Sequence, residues 1–114
     1  MDVDSLVAQW RLYAKTNKVR ADLLRKDGDS FGMDLCIARG EVRGLAAELL
    51  QRSTNYLDAA AIMHQKAREL WQHNLPLIGF DSAAIQYTRC RTWQDCALAL
   101  DPSLPIVQPK LAAS

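Results

Sequence analysis

The sequence predicts an all-α fold: a long antiparallel helical hairpin, a third helix packed on it, a short C-terminal helix or helices, and an extended proline-containing tail. Within residues 31–50, apolar side chains recur at alternating four- and three-residue steps, which is the spacing of one stripe on an α-helix. Similar periodicity flanks this stretch, and the short segments 27–29 and 53–55 have the composition of turns and helix caps. A length of 114 residues corresponds to one domain. We assign residues 1–100 to a helical domain and 101–114 to a C-terminal arm.

The first helix is expected to start after Asp2 or Asp4, either of which can cap it, and to end near Lys26. Its apolar residues form a broad arc in two adjoining parts. The first part contains Leu6, Trp10, Tyr13 and Leu24, and the second contains Leu12, Val19 and Leu23. The remaining face carries a basic ridge of Arg11, Lys15, Lys18 and Arg25. Such a ridge can contact backbone phosphates, although a solvated face has the same composition.

The second helix is expected over residues 31–50 and is predicted to be apolar on two opposite sides. One stripe consists of Phe31, Leu35, Ala38, Val42, Leu45 and Leu49. The opposite face consists of Met33, Cys36, Ile37, Gly40, Gly44 and Ala47. A helix with two such faces is expected to lie between two partner layers, and the glycines permit close approach of another backbone. We predict a subunit interface formed by Met33, Ile37, Gly40, Gly44 and Ala47.

This helix is expected to end near Arg52, and a bent helix that continues through 53–55 is the alternative. The third helix is predicted from about Tyr56 to His73, with Pro76 ending it. For residues 75–91 two interpretations stay open: a helix over 83–91, which we favour, or a small β-hairpin formed by 77–80 and 85–88. Thr92, followed by Asp95, resembles a capping box that starts a short helix to Leu100.

The last segment, after Asp101, combines prolines with aliphatic residues. Prolines favour an extended arm, and a disordered tail usually contains fewer aliphatic side chains. We therefore expect the arm to lie on a neighbouring subunit. Its predicted contact residues are Leu104, Ile106, Val107 and Leu111.

Composition and motifs argue against several function classes. The 14 basic and 13 acidic residues nearly cancel, and no apolar run reaches the length of a membrane-spanning helix. The acidic start lacks the features of a signal peptide, and three cysteines without a framework spacing indicate reduced thiols in the cytoplasm. The histidine and cysteine spacings do not match zinc sites, and no nucleophile or phosphate-loop motif occurs. We expect no metal, no cofactor, no catalytic residue and no enzymatic activity.

Residues 37–45 read Ile-Ala-Arg-Gly-Glu-Val-Arg-Gly-Leu. This stretch resembles a recurrent pattern in small phage-encoded proteins, in which an Arg-Gly and a Gly-Leu pair lie on one helix of a short helical hairpin. Such proteins are commonly virion-assembly or head–tail components. The resemblance implies a bacteriophage structural protein, located in the virion or the host cytoplasm, and it implies no site residue.

Together these features predict a non-catalytic structural or adaptor protein that acts through protein–protein assembly. Its expected partners are other protein subunits, in a homo-oligomer or a larger assembly, and not a membrane. One alternative is a nucleic-acid-associated protein that uses the basic ridge of the first helix. Another is a small protein inhibitor of a host factor.

Overall fold

The structure, a computed structural model, describes the backbone of residues 1–73 and 80–107 and the side chains of 1–71 and 81–107. It contains helices α1 (Val3–Lys26), α2 (Ser30–Arg52), α3 (Tyr56–His73) and α4 (Phe80–Leu100). The predicted all-α class is confirmed, since no strand occurs in the described part of the chain.

Side-chain caps explain where the first three helices begin. The Asp2 carboxylate accepts a hydrogen bond from the Ser5 N–H, and the Asp29 carboxylate accepts one of 2.8 Å from the Gly32 N–H. The side-chain oxygen of Asn55 accepts a hydrogen bond of 2.9 Å from the Leu57 N–H. Ser53 is extended, with ψ 140°, so the alternative of one bent helix through 53–55 is wrong.

The fourth helix corrects two expectations. Residues 85–88 are helical, so the β-hairpin is wrong, and residues 77–79 lie outside the described residues. Thr92 does not start a helix; its hydroxyl donates to the Thr88 carbonyl at 2.7 Å in mid-helix. The physical reason is that one buried stripe, Cys90, Trp93, Ala97 and Leu100, runs through this position at three- and four-residue steps.

The second helix lies between α1 and α4, and α3 packs against α4. Gly40 faces α1, while Val42, on another side of α2, is buried in the main core with residues of α3 and α4. The two-sided packing expected for this helix is therefore present. One contact joins the N-terminal half of α1 to the last turn of α2: the Arg11 side chain donates a hydrogen bond to the Gln51 side chain.

The main core leaves part of the α1–α2 pair outside it. The main core contains Val7 and Trp10 of α1 and buried residues of α2 from Val42 onwards. Nearer the turn, the buried residues are Ala21, Cys36 and Ala38, which are separate from that core. The Cα extents of 40 × 40 × 17 Å describe a flat molecule.

The described part of the arm folds back onto its own chain. Leu104 and Val107 pack against the main core, and the Val107 N–H donates to the Gln94 side chain. The His64 Nε2 lies 2.7 Å from the Pro105 carbonyl oxygen. The arm therefore lies against its own chain as far as Val107, while Ile106 is exposed, and a contact of Leu104, Ile106 or Val107 with a neighbouring subunit stays a prediction. Leu111 lies outside the described residues.

Candidate functional site

The small-residue face of α2 is largely covered by α1 of the same chain. A Cβ added to Gly40 would lie 3.2 Å from the Asn17 Cβ and 3.3 Å from the Ala14 carbonyl oxygen. Gly44 also faces Ala14, and Ala47 is fully buried in the main core. These three predicted interface residues are used for packing within the chain, because the small side chains let the two helices approach closely.

Met33 and Ile37, the other two predicted interface residues, line an open groove between α1 and α2. The groove has a volume of about 500 Å³. From α1 it is lined by Ala14, Lys15, Lys18, Ala21, Asp22 and Arg25, and from α2 by Met33, Cys36, Ile37, Gly40 and Glu41. Its apolar lining comes from both helices, and its charged side chains can hold a polar partner at the rim. The groove is therefore a surface suited to an amphipathic ligand.

The basic ridge predicted on α1 borders this groove. Lys15, Lys18 and Arg25 line it, whereas Arg11 is hydrogen-bonded to the Gln51 side chain. The two acidic side chains of the groove form ion pairs: Asp22 with Arg25 at 3.4 Å, and Glu41 with Arg89 of α4 at 3.8 Å. Among the described residues, no carboxylate lies within 4.0 Å of the Lys15 or Lys18 ammonium group.

A second apolar feature lies on α1, on the side directed away from α2. Leu12 and Val19 are each 60% exposed and Leu23 is 56% exposed. With Thr16 these residues follow the spacing i, i+4, i+7 and i+11, and we call the four the outer stripe. One shallow depression on this side is lined by Lys15, Thr16, Val19, Arg20 and Leu23, and another includes Arg11, Leu12 and Lys15. Lys15 thus borders both depressions and the groove, so the groove and the outer stripe form one continuous surface.

The sequence identified these aliphatic residues as part of a broad apolar arc but did not show that they are exposed. The signal was present, because Leu12, Val19 and Leu23 fall on a different part of the arc from Trp10, which is buried. Two partner faces on one helix require two partner layers. Among the described elements, α2 is the only helix with which α1 packs extensively.

The three cysteines of the chain lie in its interior. Cys36, Cys90 and Cys96 are free and buried, and burial raises the pKa of Cys90 and of Cys96 to about 12. Among the described residues there is no group of three or more His, Cys, Asp or Glu side chains placed to hold a metal ion. Within the same residues, no helix combines the length and the apolar character needed to cross a membrane.

No protein-family model, curated protein or solved structure matches this chain. Its function is therefore inferred from the surface that combines the groove, the outer stripe and the lysines between them.

Proposed function

We propose that the protein is a non-catalytic interaction protein that binds another protein through one surface of the α1–α2 pair. This surface, which we call the α1 surface, consists of the outer stripe, the groove, and Lys15 and Lys18 between them. The observation that carries the proposal is the exposure of three large aliphatic side chains, each more than half exposed, along one helix face. Single exposed aliphatic residues are ordinary, but an aligned and contiguous set indicates an interaction site.

The spacing of the outer stripe favours a helical partner. Side chains at i, i+4, i+7 and i+11 lie in one row, and such a row packs between the side chains of a second helix. Among the described elements α1 packs extensively only against α2, and the outer stripe is exposed, so a partner helix can reach the stripe without displacing α3 or α4. Burial of a Leu or Val side chain contributes about 1.5–3 kcal/mol, so three such residues can support a specific contact.

Within this class, the resemblance of residues 37–45 to small phage proteins supports a role in virion assembly. A small inhibitor of a host factor would use the same kind of surface. Self-association, which the sequence also predicted, stays a prediction. Nucleic-acid binding is favoured by the cations of α1, among them Lys15, Lys18 and Arg20. It leaves the aliphatic side chains beside them unexplained, because phosphate backbones offer them no apolar contact.

The proposal is tested with a displayed library of random helical peptides selected against the purified protein. The variant carries Leu12→Gln and Val19→Gln on the outer stripe. The matched control carries Leu57→Gln and Ile62→Gln on α3, where the two side chains are 46% and 45% exposed. We expect the wild type and the control to enrich the same peptides and the outer-stripe variant to lose them, with unchanged helicity and melting temperature. Peptides enriched equally on all three proteins would contradict the proposal.

A further inference from the structure

We infer that the partner of the α1 surface is an acidic amphipathic helix, and not a second copy of this chain. The inference rests on the proposed function, because it names the chemistry of the partner for the same surface. It is carried by the charges that flank the outer stripe, together with the exposure of the stripe itself.

The charge along α1 has one sign over most of its length. Between Ser5 and Ala21 the helix contains no Asp or Glu, and its four charged residues are Arg11, Lys15, Lys18 and Arg20. Outside this stretch α1 has two acids: Asp4, which lines the depression that contains Leu12, and Asp22, which pairs with Arg25. Lys15 and Arg20 line the same depression as Val19 and Leu23, so this part of the outer stripe is bordered by cations on both sides. Among the described residues, neither Lys15 nor Arg20 has a carboxylate within 4.0 Å.

These charges disfavour a second copy of the chain as the occupant. A symmetric α1–α1 contact would place the basic borders of the two stripes against each other. Like charges directly across a helix–helix contact are destabilising, and they also suppress unintended partners. The same borders attract a helix whose apolar row is flanked by Glu or Asp, as in helix pairs whose flanking charges select the partner.

Two other anionic partners fit the surface less well. A nucleic-acid backbone would satisfy the cations but would leave Leu12 and Val19 in contact with water. A lipid surface is bound by helices with a broad apolar face that often includes Trp. Here the outer stripe is narrow and includes the polar Thr16, while Trp10 is buried in the main core.

The outer stripe also sets the length of the partner. Leu12 and Leu23 are eleven residues apart, which corresponds to about 16 Å at 1.5 Å per residue. A partner helix of roughly 14–18 residues, with apolar side chains at i, i+4, i+7 and i+11, covers this length.

The test uses three fluorescent helical peptides with the same leucine row, flanked by Glu, by Gln or by Lys. Fluorescence anisotropy gives Kd for each peptide with the full-length protein at several salt concentrations. We expect the Glu peptide to bind about tenfold or more tightly than the Lys peptide, and salt to reduce this difference. In a Lys15→Glu, Arg20→Glu variant the preference should reverse, whereas the exposed Arg68→Glu on α3 is the matched control and should leave it unchanged.

The outcomes separate this inference from the proposed function. If the three peptides bind equally and Leu12→Gln with Val19→Gln abolishes binding, the partner is not selected by charge, and the inference fails while the proposed function stands. If light scattering shows a wild-type dimer that the outer-stripe variant loses, the occupant is a second copy and the inference fails. Binding of duplex DNA or phosphatidylglycerol vesicles that needs Lys15 and Arg20 but not Leu12 and Val19 would overturn both.

Discussion

Gly40 of α2 lies against the backbone of Ala14 of α1: a Cβ added to Gly40 would be 3.3 Å from the Ala14 carbonyl oxygen. Gly44, one turn further along α2, faces the same residue from a greater distance, with 4.0 Å between its added Cβ and the Ala14 Cβ. The two glycines of one sequence motif therefore have different roles. Gly40 allows the closest approach of α1 and α2, whereas Gly44 leaves space for a methyl group.

We expect opposite effects from substitutions at these two glycines. Gly44→Ala should raise the free energy of unfolding by about 0.5–1 kcal/mol, because alanine has the higher helix propensity and meets only ordinary van der Waals contact. Gly40→Leu should lower it by about 1–3 kcal/mol, because the side chain must push α1 away. Urea unfolding of the two variants measures both values. A stabilised Gly40→Leu protein would contradict the close contact with α1.

The sequence predicted α1, α2 and α3 well because each has one unbroken apolar period and a recognisable cap. It misassigned Thr92, because a threonine three residues before an acid is compatible both with a helix start and with a position inside a helix. What decides between them is the continuation of the buried stripe from Cys90 to Trp93 and Ala97. That stripe crosses the expected boundary.

The candidate site was predicted less well, because burial depends on how helices are arranged in space. The sequence placed Gly40 and Gly44 on a face that needs a partner, and it could not show that α1 is that partner. Leu12 has the residue type of a core position, yet it is exposed because no described helix covers that side of α1. The position of Leu104 also depends on a long-range contact that local periodicity does not encode.

The arm offers a matched pair of aliphatic residues. Leu104→Ala should lower the free energy of unfolding by about 1–2 kcal/mol, because Leu104 packs against the main core and its loss leaves a gap. Ile106→Ala should change it by less than about 0.5 kcal/mol, since the Ile106 side chain is 63% exposed. Chemical denaturation provides the comparison. Equal losses in both variants would mean that the arm does not lie on the core as described.

The turn between α1 and α2 depends on a capping carboxylate. Asp29→Ala should destabilise the protein by about 1 kcal/mol, because the Gly32 N–H loses the acceptor that lies 2.8 Å from it. Asp29→Asn keeps a side-chain oxygen and is the control, with an expected loss of a few tenths of a kcal/mol. Thermal melts of the two variants distinguish them. If Asp29→Ala were as stable as the wild type, the cap would have no part in stability.

The three cysteines should resist thiol reagents in the native protein. Cys36, Cys90 and Cys96 are each 1% exposed or less, so a bulky aromatic disulfide reagent cannot reach them without local opening. We expect slow labelling at mildly alkaline pH and complete labelling of all three after denaturation in urea. Mass spectrometry identifies the modified residues. Rapid native modification of Cys96, the most deeply buried of the three, would show that α4 is not packed as described.

Alkaline pH should destabilise the fold through two of these thiols. Burial raises the pKa of Cys90 and Cys96 from the ordinary value of 9.0 to about 12. Well below pH 9 the folded and the unfolded protein both keep the thiol protons, so the two thiols do not make the free energy of unfolding depend on pH. Between pH 9 and about pH 12 the unfolded chain loses the protons first, and the free energy of unfolding therefore falls as pH rises.

A double variant, Cys90→Ala with Cys96→Ala, isolates this contribution. Its stability at neutral pH should be lower, because both sulfur atoms are buried. Its decrease in stability between pH 9 and pH 11 should nevertheless be smaller than that of the wild type, since the two proteins differ only in these two thiols. Urea unfolding at a series of pH values measures the two slopes. Parallel slopes would show that the two thiols ionise as easily in the folded protein as in the unfolded chain.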